Sequence, residues 1–106
     1  MYIMQLKTGV VVFEWDTGNL DKSYEKHGVT AKEVEEVFVA KGSYVVPDLK
    51  HSQKEARFII LGKNNDGVNL FVVFTFRGEK IRVISARRMH KKEVVSYEKT
   101  KKNTKV

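Results

Sequence analysis

The segment from residue 57 to residue 88 contains three strand-like runs joined by two short turn sequences, and this pattern limits the possible folds more than any other feature. The runs cover residues 57–63, 69–77 and 80–88, and the turns are Asn64-Asn65-Asp66-Gly67 and Arg77-Gly78-Glu79-Lys80. Connections this short join neighbouring antiparallel strands. The middle run, Leu70-Phe71-Val72-Val73-Phe74, is apolar at every position, which is typical of a central strand buried on both faces. The segment therefore predicts an antiparallel meander.

The N-terminal part of the chain predicts two short strands and one short helix. Apolar runs favour strands at residues 2–6 and 10–13, and the sequence Thr17-Gly18-Asn19 then interrupts the pattern. Leu20, Tyr24 and His27 recur at helical spacing and are followed by Gly28, a residue that commonly ends helices. We therefore expect a helix over residues 20–27.

A capping box, Thr30-Ala31-Lys32-Glu33, predicts a second helix that continues to about residue 40. Its apolar stripe consists of Val34, Val37 and Phe38. A strand at residues 44–46 follows, and Pro47 favours an edge position for it because proline cannot donate a ladder hydrogen bond. The pattern after the meander predicts a C-terminal helix over about residues 90–100.

These elements predict an α+β domain, with two N-terminal helices and a C-terminal helix packed on one side of an antiparallel β-sheet. The chain has 106 residues, of which 42% are hydrophobic, enough for one core of modest size. We expect a single domain over residues 1–98 and a basic C-terminal tail over residues 99–106.

The charge of the chain is positive and concentrated near its C-terminus. The net charge is +7, and residues 87–106 carry eight Lys/Arg against two Glu, which is +6. Such an excess indicates a polyanionic partner or an acidic protein, although residues 99–106 alone are also typical of a solubilising tail. Cysteine is absent, which excludes disulfides, thiol nucleophiles and cysteine-ligated metals and fits a cytoplasmic setting. The N-terminus does not resemble a signal peptide, and we expect no membrane span.

Four arginines lie in or beside the last predicted hairpin: Arg77, Arg82, Arg87 and Arg88. Guanidinium groups held close together match phosphate oxygens well, because each presents a planar set of donors and stays charged. The alternative is a solvated strand face whose arginines pair with carboxylates of the chain itself.

The strand register decides which of these arginines share a face of the sheet. A two-residue turn at Gly78-Glu79 pairs Arg77 with Lys80 and Thr75 with Arg82, which puts these residues on one face. Without a bulge, Ser85 and Arg87 would then lie on the other face, and a bulge would change this arrangement.

Five spaced motifs resemble those of the BrnT family of bacterial type II toxins. They are Phe13-Glu14-Trp15-Asp16, Lys26-His27-Gly28-Val29, His51-Ser52 with Glu55 and Arg57, Arg77-Gly78, and Ile81-Arg82-Val83-Ile84-Ser85-Ala86-Arg87. The resemblance runs from about Phe13 to Tyr97. It implies a RelE-like fold, ribonuclease activity that inhibits translation and growth, and neutralisation by a BrnA-type antitoxin, a ribbon-helix-helix DNA-binding protein.

A metal-independent ribonuclease of this kind would activate a ribose 2′-hydroxyl, stabilise the phosphorane and protonate the departing oxygen. The candidate catalytic residues are His51, Glu55, Arg77, Arg82, Arg87 and His27. The two histidines and Glu55 also have structural alternatives: His51 as an exposed loop residue, Glu55 as an ion-pair partner of Arg57 or another strand arginine, and His27 as a residue that caps or packs under its helix end.

Further basic residues are candidates for RNA binding: Arg57, Lys80, Arg88, Lys91 and Lys92. We expect no cofactor and no metal site, because three scattered histidines and dispersed carboxylates lack ligand spacing. The predicted partners are RNA, either free or on the ribosome, and the antitoxin, in a hetero-oligomer. Two other functions fit the same basic surface: a non-catalytic RNA- or ribosome-binding module, and a dock for an acidic protein.

Overall fold

A computed structural model describes residues 12–15, 28–51 and 54–104, with the side chains of residues 102–104 excepted. Its elements in chain order are β1 (Val12–Glu14), α1 (Ala31–Val39), β2 (Tyr44–Pro47), a 3-10 turn (Leu49–His51), β3 (Arg57–Lys63), β4 (Asn69–Arg77), β5 (Lys80–Arg88) and α2 (Lys91–Thr104). The α+β class is therefore confirmed. The strand predicted at residues 2–6 and the helix predicted at residues 20–27 lie outside the described residues.

The described strands form one sheet in the order β1-β5-β4-β3-β2. Strands β3 to β5 pair antiparallel, as the turn sequences predict. Strand β2 also pairs antiparallel with β3, and it lies at an edge of the sheet formed by the described strands. Strand β1, however, pairs parallel to β5, with Phe13 opposite Ile81. The sheet is therefore mixed, and the prediction of a purely antiparallel sheet was wrong, because the direction of a strand far from its partner in sequence is not fixed by a turn.

Helix α1 covers one face of the sheet. Thr30 and Glu33 form the predicted capping box, and Val34, Val37 and Phe38 are buried. These three side chains join a core cluster with alternate residues of the strands, among them Phe74, which is fully buried. This face carries the main core of the described part of the molecule.

Helix α2 covers part of the opposite face. Tyr97 stacks on Tyr44 of β2 with ring centroids 5.2 Å apart, and Met89, Leu61 and Phe71 belong to the same second cluster. The two described helices therefore lie on opposite sides of the sheet, and the prediction of helices on one side only was wrong. The cause is the alternation of strand side chains: Leu61 and Phe71 are apolar on the face away from α1, so this face also needs a cover.

Helix α2 runs to Thr104, beyond its predicted end near residue 100. The division into residues 1–98 and 99–106 remains a prediction. No helix in the described part of the chain has the length and apolar character needed to cross a membrane.

Candidate active site

A β-bulge in the last hairpin determines which basic side chains share a face. Thr75 pairs with Arg82 and Arg77 pairs with Lys80, as the turn sequence predicts. The register then shifts: Phe74 pairs with Val83, whereas Val73 pairs with Ser85, so β5 contains one extra residue, Ile84. Beyond this bulge Phe71 pairs with Arg87. Side chains that pair directly point to the same side, so Ser85 and Arg87 share the face of Thr75 and Arg82.

Four strands place a row of residues across this face, which is the face that α2 partly covers. Arg57 of β3 pairs with Thr75 of β4, which pairs with Arg82 of β5, which in turn lies beside Glu14 of β1. Thr75 is buried and donates a hydrogen bond from Oγ1 to the Ala56 carbonyl at 2.7 Å. Arg82 and Glu14 form an ion pair at 3.9 Å. The row is therefore rigid at its centre and charged at both ends.

The 3-10 turn after β2 brings His51 next to this row. The backbone N–H of Asp48 donates to the Arg57 carbonyl at 2.8 Å, which ties the start of the turn to β3. The Asp48 side chain is nearly buried, and its Oδ2 lies 3.1 Å from Nδ1 of His51. A carboxylate only accepts hydrogen bonds, so Nδ1 carries the hydrogen and Nε2 is left to act on another group. The His51 side chain is 58% exposed, so a large molecule can reach it.

Two adjoining pockets share His51 and Arg57 in their walls. The first, of about 550 Å³, is completed by Lys50, Lys54 and Glu55. Glu55 lies 4.0 Å from Arg57, an ion pair at the outer limit of such contacts. This pocket is lined by two lysines, one arginine and one histidine, and by a single carboxylate, so its composition suits an anion. The second pocket, of about 450 Å³, extends over the sheet toward Arg87.

Arg87 is held by contacts with three residues at the far end of the second pocket. Its Nη1 and Nη2 donate to the two carboxylate oxygens of Glu93, at 2.7 and 2.8 Å. Nη1 also donates to the carbonyl of Arg88 at 3.1 Å, and the guanidinium lies 4.0 Å above the centre of the Phe71 ring. A bidentate ion pair on an aromatic ring fixes the orientation of the guanidinium and cancels much of its charge.

The Arg87–Glu93 pair makes the stability of the fold depend on pH in the acid range. The hydrogen bonds from Arg87 lower the pKa of Glu93 from 4.5 to about 2, against the raising effect of burial. A carboxyl group with a depressed pKa stabilises the fold fully above its ordinary pKa, and this stabilisation is lost as the pH falls through the lowered value. We expect a loss of about 2 kcal/mol between pH 4.5 and pH 2, since partial contact with water screens the pair.

This expectation is checked by urea unfolding at pH 6, 4 and 2.5 of the parent protein and of Glu93→Gln. Other carboxyl groups titrate in both proteins, so the difference between the two is the informative quantity. It should be largest at pH 6 and shrink toward pH 2.5. An unchanged difference across this range would contradict the assignment.

Several predicted site residues lie away from this arrangement. Arg77 and Lys80 are exposed at the hairpin end and form no ion pair within the described part of the chain. Arg88 pairs with Leu70, a core residue of the α1 face, so it lies on the other side of the sheet from Arg87. Lys91 and Lys92 are exposed in the first turn of α2, beside Val95. His27 lies outside the described residues.

Two residues that the sequence did not single out support the arrangement. Asp48 precedes His51 by three positions, and this spacing in a turn before a strand is a usable signal for a paired carboxylate and imidazole. Glu93 is the third residue after His90, and its Oε1 accepts a hydrogen bond of 2.6 Å from the backbone N–H of His90. This spacing indicates a helix cap. That it also binds Arg87 is visible only in the structure. Among the described residues, no group of three or more His, Asp or Glu could hold a metal ion.

Comparison with known proteins identifies a family and a similar solved structure. A family model described as the ribonuclease toxin BrnT of type II toxin–antitoxin systems matches residues 15–93. A crystal structure of the Brucella abortus ribonuclease toxin BrnT, at 1.1 Å resolution, is similar in fold, with a TM-score of 0.60 and 24% sequence identity over 77% of this chain and 100% of that chain. No curated protein matches the chain.

Proposed function

Because this chain belongs to the BrnT family of ribonuclease toxins of type II toxin–antitoxin systems, we propose that it is itself an active, metal-independent endoribonuclease. It cleaves RNA in the cytoplasm and thereby inhibits translation and growth until a ribbon-helix-helix antitoxin of the BrnA type neutralises it. The observation that supports this proposal most directly is the Asp48–His51 pair, which lies beside Arg57 in a pocket rich in basic side chains.

The proposed reaction is attack of a ribose 2′-oxygen on the adjacent phosphorus. Nε2 of His51 removes the 2′-hydroxyl proton, and the imidazolium formed is stabilised by Asp48. The new 2′-O–P bond forms and the P–O5′ bond breaks, which gives a 2′,3′-cyclic phosphate and a 5′-hydroxyl. The charge that develops on the phosphoryl oxygens lies near Arg57, with Lys50 and Lys54 on the same pocket wall.

The remaining candidates have supporting roles in this proposal. Glu55 is a second proton acceptor in the same pocket, and a lysine ammonium there can donate a proton to the departing 5′-oxygen. Arg82 adds a second guanidinium on the same face of the sheet, with Thr75 between it and Arg57. Arg77 and Lys80 bind flanking phosphates at the exposed hairpin end. Arg88, Lys91 and Lys92 add nonspecific attraction for RNA, and His27 remains a further candidate outside the described residues.

The proposal is tested with purified protein and ribosome-free RNA oligonucleotides in a buffer that contains a chelator. We expect cleavage that yields 5′-hydroxyl and cyclic phosphate ends, and suppression of this cleavage by the antitoxin. Salt-sensitive binding without cut ends, both on free RNA and on RNA bound to ribosomes, would instead favour a non-catalytic RNA-binding module. Cleavage that disappears with the chelator and returns with Mg²⁺ would contradict metal independence.

A further inference from the structure

The described residues leave an apolar strip of the sheet partly exposed beside the candidate active site. Ile59, Val73 and Ile84 are half-buried and belong to neither of the two core clusters. They lie on neighbouring strands and form the floor of the pocket of about 450 Å³ that also reaches Phe71. Because α2 begins only at Lys91 and packs over Leu61 and β2, it does not extend over this strip. Half-exposed apolar side chains between charged groups are typical of a small-molecule or base-binding pocket.

The polar groups around this floor are of two kinds. At one end His51 and Arg57 are shared with the neighbouring anion pocket. At the other end Ser85 is exposed and Arg87 stands over Phe71. A flat apolar group that is covalently joined to a phosphate would place the phosphate beside His51 and Arg57. The outer edge of the flat group would then lie beside Ser85 and Arg87. A nucleotide of RNA has this composition, and the pocket volume falls within the range of about 300–1,000 Å³ found for small-ligand sites.

The contacts of Arg87 in the described part of the chain leave one edge of its guanidinium group open, and the donors on this edge define what the group can recognise. A guanidinium has five N–H donors. Two Nη1 hydrogens and one Nη2 hydrogen are directed to Glu93 and to the Arg88 carbonyl. The Nε hydrogen and the second Nη2 hydrogen have no partner within the described residues, and they form a parallel pair on the remaining edge of the group. Since Glu93 cancels much of the charge, this edge is better suited to neutral acceptors than to a phosphate.

We propose that this pocket, on the premise of the ribonuclease function above, binds the nucleobase next to the scissile phosphate and selects guanine. Guanine presents two acceptors, O6 and N7, on one edge, and arginine binds this pair in a bidentate manner. The base lies on Ile59, Val73 and Ile84, its edge meets the free donors of Arg87, and its phosphate lies at His51 and Arg57. Arg87 thus determines sequence preference, whereas Arg57 serves the reacting phosphate.

The experiment uses four RNA oligonucleotides that differ only in the base at the cleaved nucleotide, and a fifth that is abasic at this position. Each is measured as a substrate, and each is also measured for binding with a 2′-deoxy sugar at that nucleotide, which prevents cleavage by 2′-oxygen attack. We expect guanine to be favoured about tenfold over the other bases in both measurements, because this factor lies within the usual discrimination of a bidentate pair. The abasic oligonucleotide should be the weakest.

Three variants localise the effect. Arg87→Lys keeps a cation that can pair with Glu93 but loses the paired donors, so the preference for guanine should fall to about twofold or less while cleavage continues. Val73→Phe fills the floor and should weaken binding of all four base-containing oligonucleotides toward the abasic level. Val39→Phe is the matched control, because Val39 is an exposed valine of α1 on the other side of the sheet. Thermal unfolding of each variant verifies that it is folded.

The outcomes separate this inference from the function it rests on. Cleavage with equal rates for all bases, or a guanine preference that Arg87→Lys leaves unchanged, would overturn the pocket assignment and leave the ribonuclease proposal standing. Guanine-selective binding without any cleavage would contradict the ribonuclease proposal and leave the pocket assignment standing. Loss of binding to the antitoxin alone in Val73→Phe, with RNA binding intact, would show that a protein side chain occupies the pocket instead.

Discussion

Replacement of His51 by alanine is expected to lower the rate of RNA cleavage by about 10²- to 10⁴-fold, the usual contribution of a positioned acid–base group. His51, like Arg57, lines both pockets, and its Nδ1 is held by Asp48 at 3.1 Å, which leaves Nε2 for proton transfer. The side chain is more than half exposed, so its removal should leave the fold intact. The measurement is single-turnover cleavage of an RNA oligonucleotide, with thermal unfolding as the check on folding.

Two matched variants make this test specific. His90→Ala removes another exposed histidine, which lies outside both pockets, and should leave the cleavage rate unchanged. Asp48→Asn keeps the shape of the nearly buried side chain but removes the charge that stabilises the imidazolium, so we expect a loss of up to about 10⁴-fold, mainly in kcat. If His51→Ala cleaves within a factor of two of the parent protein, His51 is not the base, and Glu55 becomes the leading candidate.

The second large effect is expected at Gly62, where substitution by alanine should destabilise the fold by about 3 kcal/mol. Gly62 is a buried residue of β3. A Cβ at this position would overlap the Ser43 side chain and lie 3.0 Å from Cγ1 of Val37. Neither neighbour can easily move, because Val37 is fully buried in the core and Ser43 Oγ donates to the Val37 carbonyl at 2.7 Å. Urea or thermal unfolding measures the loss, which corresponds to a Tm decrease of about 15 °C for a domain of this size.

The double variant Gly62→Ala/Ser43→Gly distinguishes a steric cause from other effects. The second substitution removes the overlapping side chain, so the combined loss should be clearly smaller than the sum of the two single losses. Gly62→Ala with a Tm within 3 °C of the parent protein would contradict the close packing of α1 against β3. Strictly additive losses would show that Ser43 is not the obstacle.

The meander was predictable because its information is local. The turn sequences at residues 64–67 and 77–80 fix antiparallel neighbours, and β3, β4 and β5 have the residue ranges that the pattern predicts. The same applies to the capping box of Thr30 and Glu33, whose two hydrogen bonds lie within four residues. The direction of β1 and the side of the sheet that α2 covers were not predictable in this way. Both depend on contacts between segments that are distant in sequence.

The candidate site shows the same division. The sequence identified a histidine in the loop before β3 and arginines on the strands as candidates for acid–base chemistry and anion binding, and these roles remain predictions. Which arginines share a face depended on the extra residue Ile84, because one inserted residue reverses the alternation of every side chain beyond it. The alternative interpretation of the arginines applies to Arg82 and Arg87, which pair with carboxylates of the chain, and phosphate binding by the arginines remains a prediction.

The sequence by itself determined the central meander, the capping box, the edge position of β2, the basic character of the chain and the presence of a histidine before β3. These features follow from turn chemistry, side-chain alternation and composition, which act over a few residues. Only the tertiary structure decided that His51 is held by a nearly buried Asp48, that Arg87 is held by Glu93, and that the described residues leave an apolar strip between them partly exposed. These arrangements depend on a bulge, a parallel strand and a helix that packs on the second face of the sheet. The physical reason is that packing between segments distant in sequence determines the free energy of each of these features.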